Sequence, residues 1–503
     1  MQLEVLLENT AILSSGGRLS TEVESLTCDS RQVTSGTLFF ALRGSRTDGH
    51  QYIKQAVAAG AAAIVLEDPG CAPDTVPWVQ VADGRVSMAH LAARFYGYPT
   101  RELPLVGITG TNGKTTTTYL VEGIMQAADM PAAVLGTISY RFGSTVIEAS
   151  HTTPESTELQ GIFRQLADAG AQAFVMEVSS HSLEQHRVDG CSFNVGIFTN
   201  LTRDHLDYHG SMEAYGAAKQ RLFSELLQGD SCRAVINLDD PAAEAFVAAA
   251  ACPVITYGLA EGADITAQQL TSTVEGISGQ LVLKGQQVPF HSRLVGSYNL
   301  SNILAAVATG VALGLTPQQI VSGIEQQKSV PGRLERVATT CGVTCLVDYA
   351  HTGDALENVL STLKQLATGR IITVFGCGGD RDNGKRPIMG RIAAQYSDLA
   401  VVTSDNPRTE DPQRILEQIR GGITPLGVRE YQLNECVPGG IRDKGFVVLE
   451  NRREAIRRAA GLAQPGDILL LAGKGHEDYQ IIGTTKHHFD DREEAAAAFR
   501  ERV

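Results

Sequence analysis

The sequence predicts a multi-domain protein of the α/β class, on three observations. Its 503 residues exceed what one hydrophobic core usually organises. Apolar runs with strand character alternate with helical segments through the middle and the last third of the chain, as in parallel sheets with helical crossovers. Glycine-rich or polar segments follow several of these runs, at the strand ends where α/β proteins bind ligands.

The first block of the chain, residues 1–103, is small. Short strand-like runs at 37–42 and 61–66 flank an alanine-rich helical stretch at 52–60. The block contains no cluster of residues typical of catalysis. We therefore predict a separate N-terminal domain over residues 1–103.

The middle block, residues 104–331, contains four strand candidates, at 106–109, 173–178, 195–199 and 234–237. Helical segments separate them, which predicts a parallel sheet. A glycine-rich turn and a helix through Met125 follow the first candidate. This block is the predicted nucleotide-binding domain.

The third block, residues 332–503, repeats the α/β pattern, with strands predicted at 371–375, 399–403 and 468–472. The segments 376–381, 404–408 and 473–477 follow these strands and are rich in glycine and charged residues. Because ligands of open α/β sheets gather at the carboxyl ends of strands, we expect the three segments to form one site.

The glycine-rich turn has the chemistry of a phosphate-binding loop. Glycines at 107, 110 and 113 let the backbone approach anionic oxygens, Lys114 can reach terminal phosphates, and Thr115 offers a hydroxyl to Mg²⁺. The strict phosphate-loop pattern fails, since Ile108 stands where it requires glycine. A merely structural turn is the alternative, but a strand, a glycine-rich turn and a helix in succession favour ATP binding.

Composition excludes several classes of protein. The net charge of −14 argues against a nucleic-acid partner. No apolar segment approaches the roughly 20 residues that span a bilayer, and the N-terminus lacks the pattern of a secretory signal. The nine cysteines form no Cys-x-x-Cys pair, and we interpret Cys341 and Cys345 as packing residues of a strand. We expect a cytoplasmic monomer without a membrane partner.

Two further residues of the middle block could bind a metal ion. Glu177 ends a predicted strand and could hold a cation, and His205 follows the next strand along the chain. Each alone is weak, because an isolated histidine is more often a hydrogen-bonded structural residue. Their positions at successive strand ends favour a shared site.

Six motifs, in this order, make the chain resemble the Mur ligase family over nearly its whole length. They are Gly110-Thr111-Asn112-Gly113-Lys114-Thr115-Thr116, Glu177-Val178-Ser179-Ser180-His181, the segment 199–207, Tyr298-Asn299-x-x-Asn302, Pro331-Gly332-Arg333-x-Glu335, and Asp348-Tyr349-Ala350-His351. The resemblance implies three domains: an N-terminal UDP-sugar-binding domain, a central P-loop-type ATPase domain, and a C-terminal Rossmann-like domain that binds the amino acid.

The resemblance also implies an activity in peptidoglycan biosynthesis, and hence in cell shape and division. ATP would phosphorylate the D-glutamate γ-carboxylate of UDP-N-acetylmuramoyl-L-alanyl-D-glutamate, and the amine of meso-diaminopimelate would displace phosphate from the acyl phosphate. L-lysine as acceptor, or a related ligase that adds D-alanyl-D-alanine or extends folate, are alternatives. A regulatory nucleotide switch would show an Asn-Lys-x-Asp sequence, which is missing, and a scaffold protein would not need the metal ligands.

The resemblance assigns residues to ATP and metal. ATP would be bound by Gly110, Thr111, Asn112, Gly113, Lys114, Thr115, Thr116, Asn299, Asn302, Arg333, Asp348 and His351. One Mg²⁺ would be held by Thr115 and Glu177, and a second by Glu177, His205 and Lys219 carbamylated by CO₂. With Lys114, these last three would form the catalytic set. The residues alone predict a solvated surface lysine at 219, on an amphipathic helix with apolar positions at 215, 218, 222 and 226.

The resemblance assigns two further sets to the other substrates. The UDP-muramoyl peptide would contact Ser30, Thr152, Thr153, Ser179, Gln185 and Arg187, while the role of His151 stays open. The amino acid would contact Arg381, Asp405, Asn406, Pro407, Arg408, Gly473 and Glu477, with Glu477 favouring an ammonium.

The prediction of the acceptor depends chiefly on Arg408. In the family, Asp-Asn-Pro-Arg marks enzymes that use meso-diaminopimelate. The chemistry agrees, because this amino acid differs from lysine by one carboxylate, and arginine grips a carboxylate through two parallel hydrogen bonds. The alternative is a purely structural loop that leads into a helix, with Asp411 as cap and Pro412 in the first turn.

Overall fold

A computed structural model describes residues 1–44, 47–283, 285–339, 341–437, 441 and 443–502. The chain forms two compact units. The first comprises Met1–Ala267, Leu281–Val288 and Ser301–Ile324, and the second Gln268–Gln280, Pro289–Leu300 and Glu325–Val503. Within the described ranges, no helix is long and apolar enough to cross a membrane.

A five-stranded sheet occupies the N-terminal part of the first unit. Its strand order is Ser14–Gly16, Trp78–Gln80, Ala63–Leu66, Thr37–Ala41 and Ser25–Thr27, with the first pair antiparallel and the rest parallel. The predicted strands at 37–42 and 61–66 are confirmed. The predicted helix at 52–60 is a 3-10 turn, Gly49–Tyr52, that continues as the α-helix Ile53–Ala58.

The central sheet contains the glycine-rich loop. Eight adjacent strands of this eleven-stranded sheet are, in order, Val254–Tyr257, Arg233–Asn237, Val195–Phe198, Leu105–Thr109, Ala173–Glu177, Ala132–Leu135, Ser139–Phe142 and Thr145–Glu148. The first six are parallel, which confirms the predicted topology. The strands Ile265–Thr273, Gly276–Leu283 and Gln286–Ser292 continue the sheet beyond Val254–Tyr257, and the division between the units passes through them.

A seven-stranded sheet forms the centre of the second unit. Its order is Glu335–Val337, Thr344–Asp348, Ile468–Ala472, Ile371–Phe375, Leu399–Val402, Gly445–Val448 and Arg429–Glu430, and only the first pair is antiparallel among these strands. The three predicted strands are confirmed within one residue. A separate hairpin consists of Tyr479–Ile482 and Thr485–His488.

Helices connect the strands. In the first unit they are Leu3–Leu6, Ile53–Ala58, Gly84–Phe95, Pro99–Glu102, Lys114–Ala127, Ser156–Asp168, Ser180–Glu184, Leu206–His209, Met212–Arg221 and Ala243–Ala249, with a π-helical turn at Leu222–Leu226. The helices Ser297–Ala312 and Pro317–Gln326 run through the division between the units. The second unit adds Gly353–Leu366, Lys385–Tyr396, Pro412–Ile423, Arg452–Leu462 and Asp491–Arg500.

The seven-stranded sheet has a hydrophobic core on each face. Leu346 belongs to one core, with Leu360 and Ile415 from helices. Its neighbour Val347 belongs to the other, with Ile456 from the helix Arg452–Leu462. Alternate residues of a strand point to opposite faces, so helices cover both faces, as in the predicted Rossmann-like domain.

Two sequence predictions have different outcomes here. Cys345 is buried in the strand Thr344–Asp348, as expected. Cys341 lies before that strand and is only half-buried, so its placement in a strand was wrong. The domain boundaries after residues 103 and 331 stay predictions.

Candidate active site

The glycine-rich loop connects the strand Leu105–Thr109 to the helix that begins at Lys114. Gly110 and Gly113 have φ angles of +143° and +87°, in the region that favours glycine. A Cβ atom on Gly110 would lie 1.9 Å from Thr199 Oγ1, and one on Gly113 would lie 2.3 Å from Asn302 Oδ1. Both positions therefore require glycine, and the loop is packed tightly under the start of the helix.

Neighbouring segments hold the loop in place. Lys114 Nζ donates hydrogen bonds to the carbonyl oxygens of Gly110 and Thr111, both at 2.9 Å. The Asn112 N–H donates to Asn200 Oδ1 at 2.9 Å. Thr116 is buried in the first helical turn. The lysine thus lies over the loop, where an ammonium group can meet an anionic ligand.

Glu177 ends the neighbouring strand Ala173–Glu177, and its side chain is buried. Its Oε1 accepts hydrogen bonds from Thr115 Oγ1 at 2.9 Å and from the Thr137 N–H at 3.0 Å. Its Oε2 accepts one from Thr137 Oγ1 at 3.1 Å. The structure therefore brings together a hydroxyl and a carboxylate, which are oxygen ligands that suit Mg²⁺.

Lys219 is only 1% exposed, so the expectation of a solvated surface lysine was wrong. It shares the inward face of the helix Met212–Arg221 with Tyr215 and Ala218, which are also buried. Its Nζ donates to the Gly110 carbonyl at 2.9 Å and lies 4.5 Å from the centre of the Tyr215 ring. Burial, followed by the positive charge of Lys114, lowers the pKa of Lys219 well below its ordinary value.

His205 occupies a different environment. Its backbone is left-handed, with φ of +52°, and its side chain is 48% exposed. The ring centre lies 4.9 Å from that of His181 and 6.2 Å from that of Tyr215. In the described part of the chain, no three His, Cys, Asp or Glu side chains form a group that could hold a metal ion. Side chains of these four types alone therefore do not form the predicted second metal site.

The residues predicted to bind the muramoyl peptide lie around the end of the Glu177 strand. Thr153 Oγ1 donates to the Glu177 carbonyl at 2.7 Å and accepts from the Ser179 N–H at 3.1 Å. Thr152 Oγ1 lies 3.1 Å from Thr137 Oγ1. The threonine pair is therefore attached to the same strand end as the candidate metal ligands.

Arg187 extends this group. Its guanidinium donates to the Thr153 carbonyl at 2.9 Å and to Gln185 Oε1 at 2.7 Å, and forms an ion pair with Glu155 at 3.0 Å. Burial, followed by the charge of Glu155, raises the pKa of Cys28 to about 11.

The helix Ser156–Asp168, which begins directly after Glu155, contacts the strand Ser25–Thr27, so the turn after that strand lies near Glu155. Ser30 lies in that turn and is half-buried. The structure thus brings the predicted UDP and muramoyl-peptide residues into one region of the first unit. Sequence reasoning missed Glu155, although it follows the Thr-Thr-Pro segment directly.

In the second unit, the three predicted segments after the strands do meet. Asp405 forms an ion pair with the buried Lys474 at 3.1 Å. Asn406 Nδ2 donates to Glu477 Oε2 at 3.0 Å. Arg408 Nη1 donates to the Gly379 carbonyl at 2.8 Å. Segments 376–381, 404–408 and 473–477 therefore form one cluster at the carboxyl edge of the sheet.

Residues of this cluster, among them Arg408 and Gly473, have positive φ angles. Arg408 follows Pro407 and has a left-handed φ of +52°. Its N–H donates to the Ile481 carbonyl at 3.1 Å, and its carbonyl accepts from the Gly483 N–H at 2.8 Å. Gly473 has φ of +113°. The hairpin that contains Ile481 thus holds Arg408, whereas Arg381 is exposed and donates a long 3.4 Å hydrogen bond to the Asp380 carbonyl.

The remaining predicted ATP residues divide between the units. Asn302 belongs to the first unit, with the loop. In the second, Asp348 Oδ2 accepts from the Leu334 N–H at 2.7 Å, and burial raises the pKa of Asp348 while Arg333 lowers it. Arg333 lies 4.9 Å from the centre of the Tyr349 ring. Asn299 Nδ2 donates to the Val295 carbonyl at 2.7 Å, and His351 Nδ1 lies 2.9 Å from the Tyr349 carbonyl.

Sequence reasoning also missed Arg386. Its guanidinium is fully buried, makes two 2.9 Å hydrogen bonds to Glu410 and donates to the Gly378 carbonyl at 3.1 Å. Hydrogen bonding from Arg386 lowers the pKa of Glu410 to about 2. The Arg386–Glu410 ion pair connects the helix Lys385–Tyr396 to the segment that follows Arg408. No motif points to it, because the partners are 24 residues apart.

Models of one family match three stretches of the chain. The Mur ligase catalytic-domain model matches residues 22–96, the middle-domain model residues 108–310, and the glutamate ligase domain model residues 332–475. A protein of Geobacter metallireducens, named UDP-N-acetylmuramoyl-L-alanyl-D-glutamate–2,6-diaminopimelate ligase, is 62% identical over 505 residues, which cover 100% of this chain and 99% of the relative. The chain belongs to the Mur ligase family. It is therefore a ligase with the three-domain α/β architecture of that family.

Further relatives agree. A Geobacillus kaustophilus protein of the same name is 46% identical over 485 residues, 96% of each chain. A solved structure of a ligase with this name has 33% identity and a TM-score of 0.71, and covers 100% of this chain and 99% of that one. The MurF ligase of Thermotoga maritima, solved with ADP, has 18% identity and a TM-score of 0.61 over 96% of this chain and 99% of that one, and shows the fold alone.

Gly113→Ala should weaken nucleotide binding to this Mur ligase, because the added Cβ would displace Asn302 and the start of the helix. We expect activity to fall by about a hundredfold, the cost of a misplacement near 1 Å. ADP affinity and the rate of ATP turnover would measure the effect. Gly97→Ala is the matched control: its φ of +73° is similar, but nothing lies within 4 Å of the added atom. Equal effects of the two changes would show that backbone strain alone is responsible.

Proposed function

We propose that this Mur ligase uses ATP to join meso-diaminopimelate to UDP-N-acetylmuramoyl-L-alanyl-D-glutamate in peptidoglycan biosynthesis. Relatives with this name cover the whole chain. The observation that carries the acceptor assignment is the cluster of strand-end segments that contains the left-handed Arg408 and, bonded to Asn406, the carboxylate of Glu477. A cation beside an anion suits an acceptor that carries both an ammonium and an additional carboxylate.

The chemistry explains the need for ATP. A carboxylate is a poor acyl donor, so the γ-carboxylate oxygen of D-glutamate takes the terminal phosphoryl group of ATP and ADP leaves. The neutral amine of the acceptor then attacks the acyl carbon, the amide bond forms, and phosphate leaves while the amine loses a proton. Lys114 and the loop N–H groups would bind the phosphates, as their position over the loop supports. The ADP in the Thermotoga maritima relative is consistent with this.

The residues fit one Mg²⁺ well. The buried Thr115 hydroxyl and Glu177 carboxylate, 2.9 Å apart, are both hard oxygen ligands. A bound Mg²⁺ would neutralise phosphate charge. Glu177, His205 and a carbamylated Lys219 would hold a second ion.

Lys219 is suited to carbamylation. Only a neutral amine attacks CO₂, forming a carbamate and releasing a proton. The lowered pKa of Lys219 favours the neutral amine, and the carbamate would supply the anionic oxygen that the metal group otherwise lacks.

The other assignments follow the match of this sequence to the motifs of the family. Ser30, Thr152, Thr153, Ser179, Gln185 and Arg187 would bind the UDP-muramoyl peptide, and Asn299, Asn302, Arg333, Asp348 and His351 would serve ATP. Arg381 and Arg408 would bind the additional carboxylate of the acceptor, and Asp405, Asn406, Pro407, Gly473 and Glu477 the rest of that molecule. We propose that the enzyme acts as a monomer in the cytoplasm.

The direct test is phosphate release from ATP with UDP-N-acetylmuramoyl-L-alanyl-D-glutamate, comparing meso-diaminopimelate with L-lysine and identifying the product by mass. We expect turnover with meso-diaminopimelate and little with L-lysine. A preference for L-lysine would reject the role of Arg408 but keep the ligase. Absence of turnover with either would favour a related Mur-type ligase.

Arg408→Asn should weaken use of meso-diaminopimelate by about 2–5 kcal/mol in kcat/KM, because a carboxylate loses its charged partner. Asparagine tolerates the left-handed backbone, so strain does not confuse the result. L-lysine should be affected much less. Arg414→Ala removes an exposed arginine of the following helix and is the control. An unchanged kcat/KM for meso-diaminopimelate would refute the assignment.

Lys219→Ala should lower phosphate release by about a hundredfold or more, as removal of one electrostatic group from a catalytic site does. In the wild type, ¹³C-bicarbonate should label Lys219 as a carbamate, and labelling should persist at lower pH than for an ordinary lysine because the Lys219 pKa is lowered. Carbon NMR would detect the signal. Lys364→Ala, at an exposed lysine, should keep both signal and activity. A wild type without the carbamate signal would contradict the modification.

A further inference from the structure

Lys474 belongs to segment 473–477 and contacts segment 404–408, both of which are assigned to the acceptor. It follows the strand Ile468–Ala472 and is fully buried. Its Nζ forms an ion pair with Asp405 Oδ1 at 3.1 Å and donates to Asn406 Oδ1 at 3.1 Å and to the Tyr479 carbonyl at 2.7 Å. Three oxygens thus lie within 3.1 Å of the ammonium, two as hydrogen-bond acceptors and Asp405 Oδ1 as an ion-pair partner. Lys474 is therefore held firmly at one position.

Lys474 and the Ile481 N–H together determine the orientation of the Asn406 amide. The Ile481 N–H also donates to Asn406 Oδ1, at 2.9 Å. Because both neighbours are donors, the atom that faces them must be the amide oxygen. The amide NH₂ group then faces Glu477, where Nδ2 donates to Oε2 at 3.0 Å.

Glu477 depends on that orientation. Its burial and the nearby Asp405 raise its pKa, whereas the Lys474 charge and the Asn406 hydrogen bond lower it. A reversed Asn406 amide would place its oxygen against the carboxylate, and two acceptors cannot form a hydrogen bond. Lys474 thus acts on Glu477 in two ways, through its charge and through Asn406.

We propose that Lys474 is a positioning residue for the acceptor: it orients Asn406, which holds the Glu477 carboxylate toward the acceptor ammonium. This inference rests on the proposed function, which assigns Glu477 to the acceptor. Lys474 itself is covered by protein on all sides, so it acts through its neighbours. Its removal should affect binding of the amino acid more than binding of ATP or the UDP substrate.

The test is steady-state kinetics of Lys474→Met, which keeps the length of the side chain and removes the charge. The KM for meso-diaminopimelate should rise at least about tenfold, the effect of one disrupted buried polar contact. The KM values for ATP and the UDP substrate, and kcat at saturating acceptor, should stay within about twofold, since uniform binding of one substrate is lost. Lys364→Met, at an exposed lysine of the same unit, should match the wild type.

Asn406→Asp gives a second, nearly isosteric test. Lys474 and Ile481 would still hold one oxygen of the new side chain, and the other would face the Glu477 carboxylate as a like charge. The KM for the acceptor should rise here too, so this variant decides the matter if Lys474→Met does not fold. A wild-type acceptor KM in a folded variant of either kind would overturn the proposal. So would equal losses toward all three substrates, which indicate a purely structural role.

Failure of this proposal is distinct from failure of the proposed function. Wild-type turnover with meso-diaminopimelate is measured first, and its absence would reject the function. If the wild type is active and the acceptor KM of either folded variant is unchanged, only the positioning role of Lys474 is rejected.

Discussion

The buried carboxylate of Glu177 joins the parts of the nucleotide-binding region. It accepts hydrogen bonds from Thr115, at the start of the helix after the glycine-rich loop, and from Thr137, after the next strand of the sheet. Its backbone carbonyl accepts from Thr153, which belongs to the candidate substrate region. A buried carboxylate must be satisfied by donors, so these contacts place the loop, the candidate metal ligands and the proposed substrate residues relative to one another.

The buried lysine and arginine side chains differ in whether a carboxylate pairs with them. Lys474, Arg386 and Arg452 each form an ion pair with a carboxylate, at distances of 3.1, 2.9 and 2.5 Å. Among the described residues, Lys219 forms no such pair and donates to a carbonyl oxygen instead. An unpaired buried charge is costly, and the ion pairs offset that cost for Lys474, Arg386 and Arg452, whereas burial lowers the pKa of Lys219 and favours its neutral amine. This difference distinguishes Lys219, the proposed site of carbamylation, from the paired cations.

The strands that sequence patterns predicted are those buried on both faces. Runs such as 371–375 and 468–472 are continuously apolar because helices cover both sides of the sheet. The hairpin Tyr479–Ile482 and Thr485–His488 escaped prediction, since it is mostly exposed and carries polar residues. Yet it forms the backbone hydrogen bonds that hold Arg408. The hydrophobic pattern of a segment indicates which of its residues are buried. An exposed element whose role depends on its backbone therefore shows no such pattern.

Residue types and their order were enough to predict the α/β class, a loop with the chemistry of phosphate binding, the resemblance to the family, and which strand ends carry charged groups. Those features are local, because a loop or a strand end is built from neighbouring residues. Tertiary structure alone decided that Lys219 is buried, that Lys474 pairs with Asp405, and that the Asn406 amide faces Glu477. Lys474 and Asn406 are 68 residues apart. The charge and orientation of a side chain depend on what packs around it, and that environment comes from distant parts of the chain.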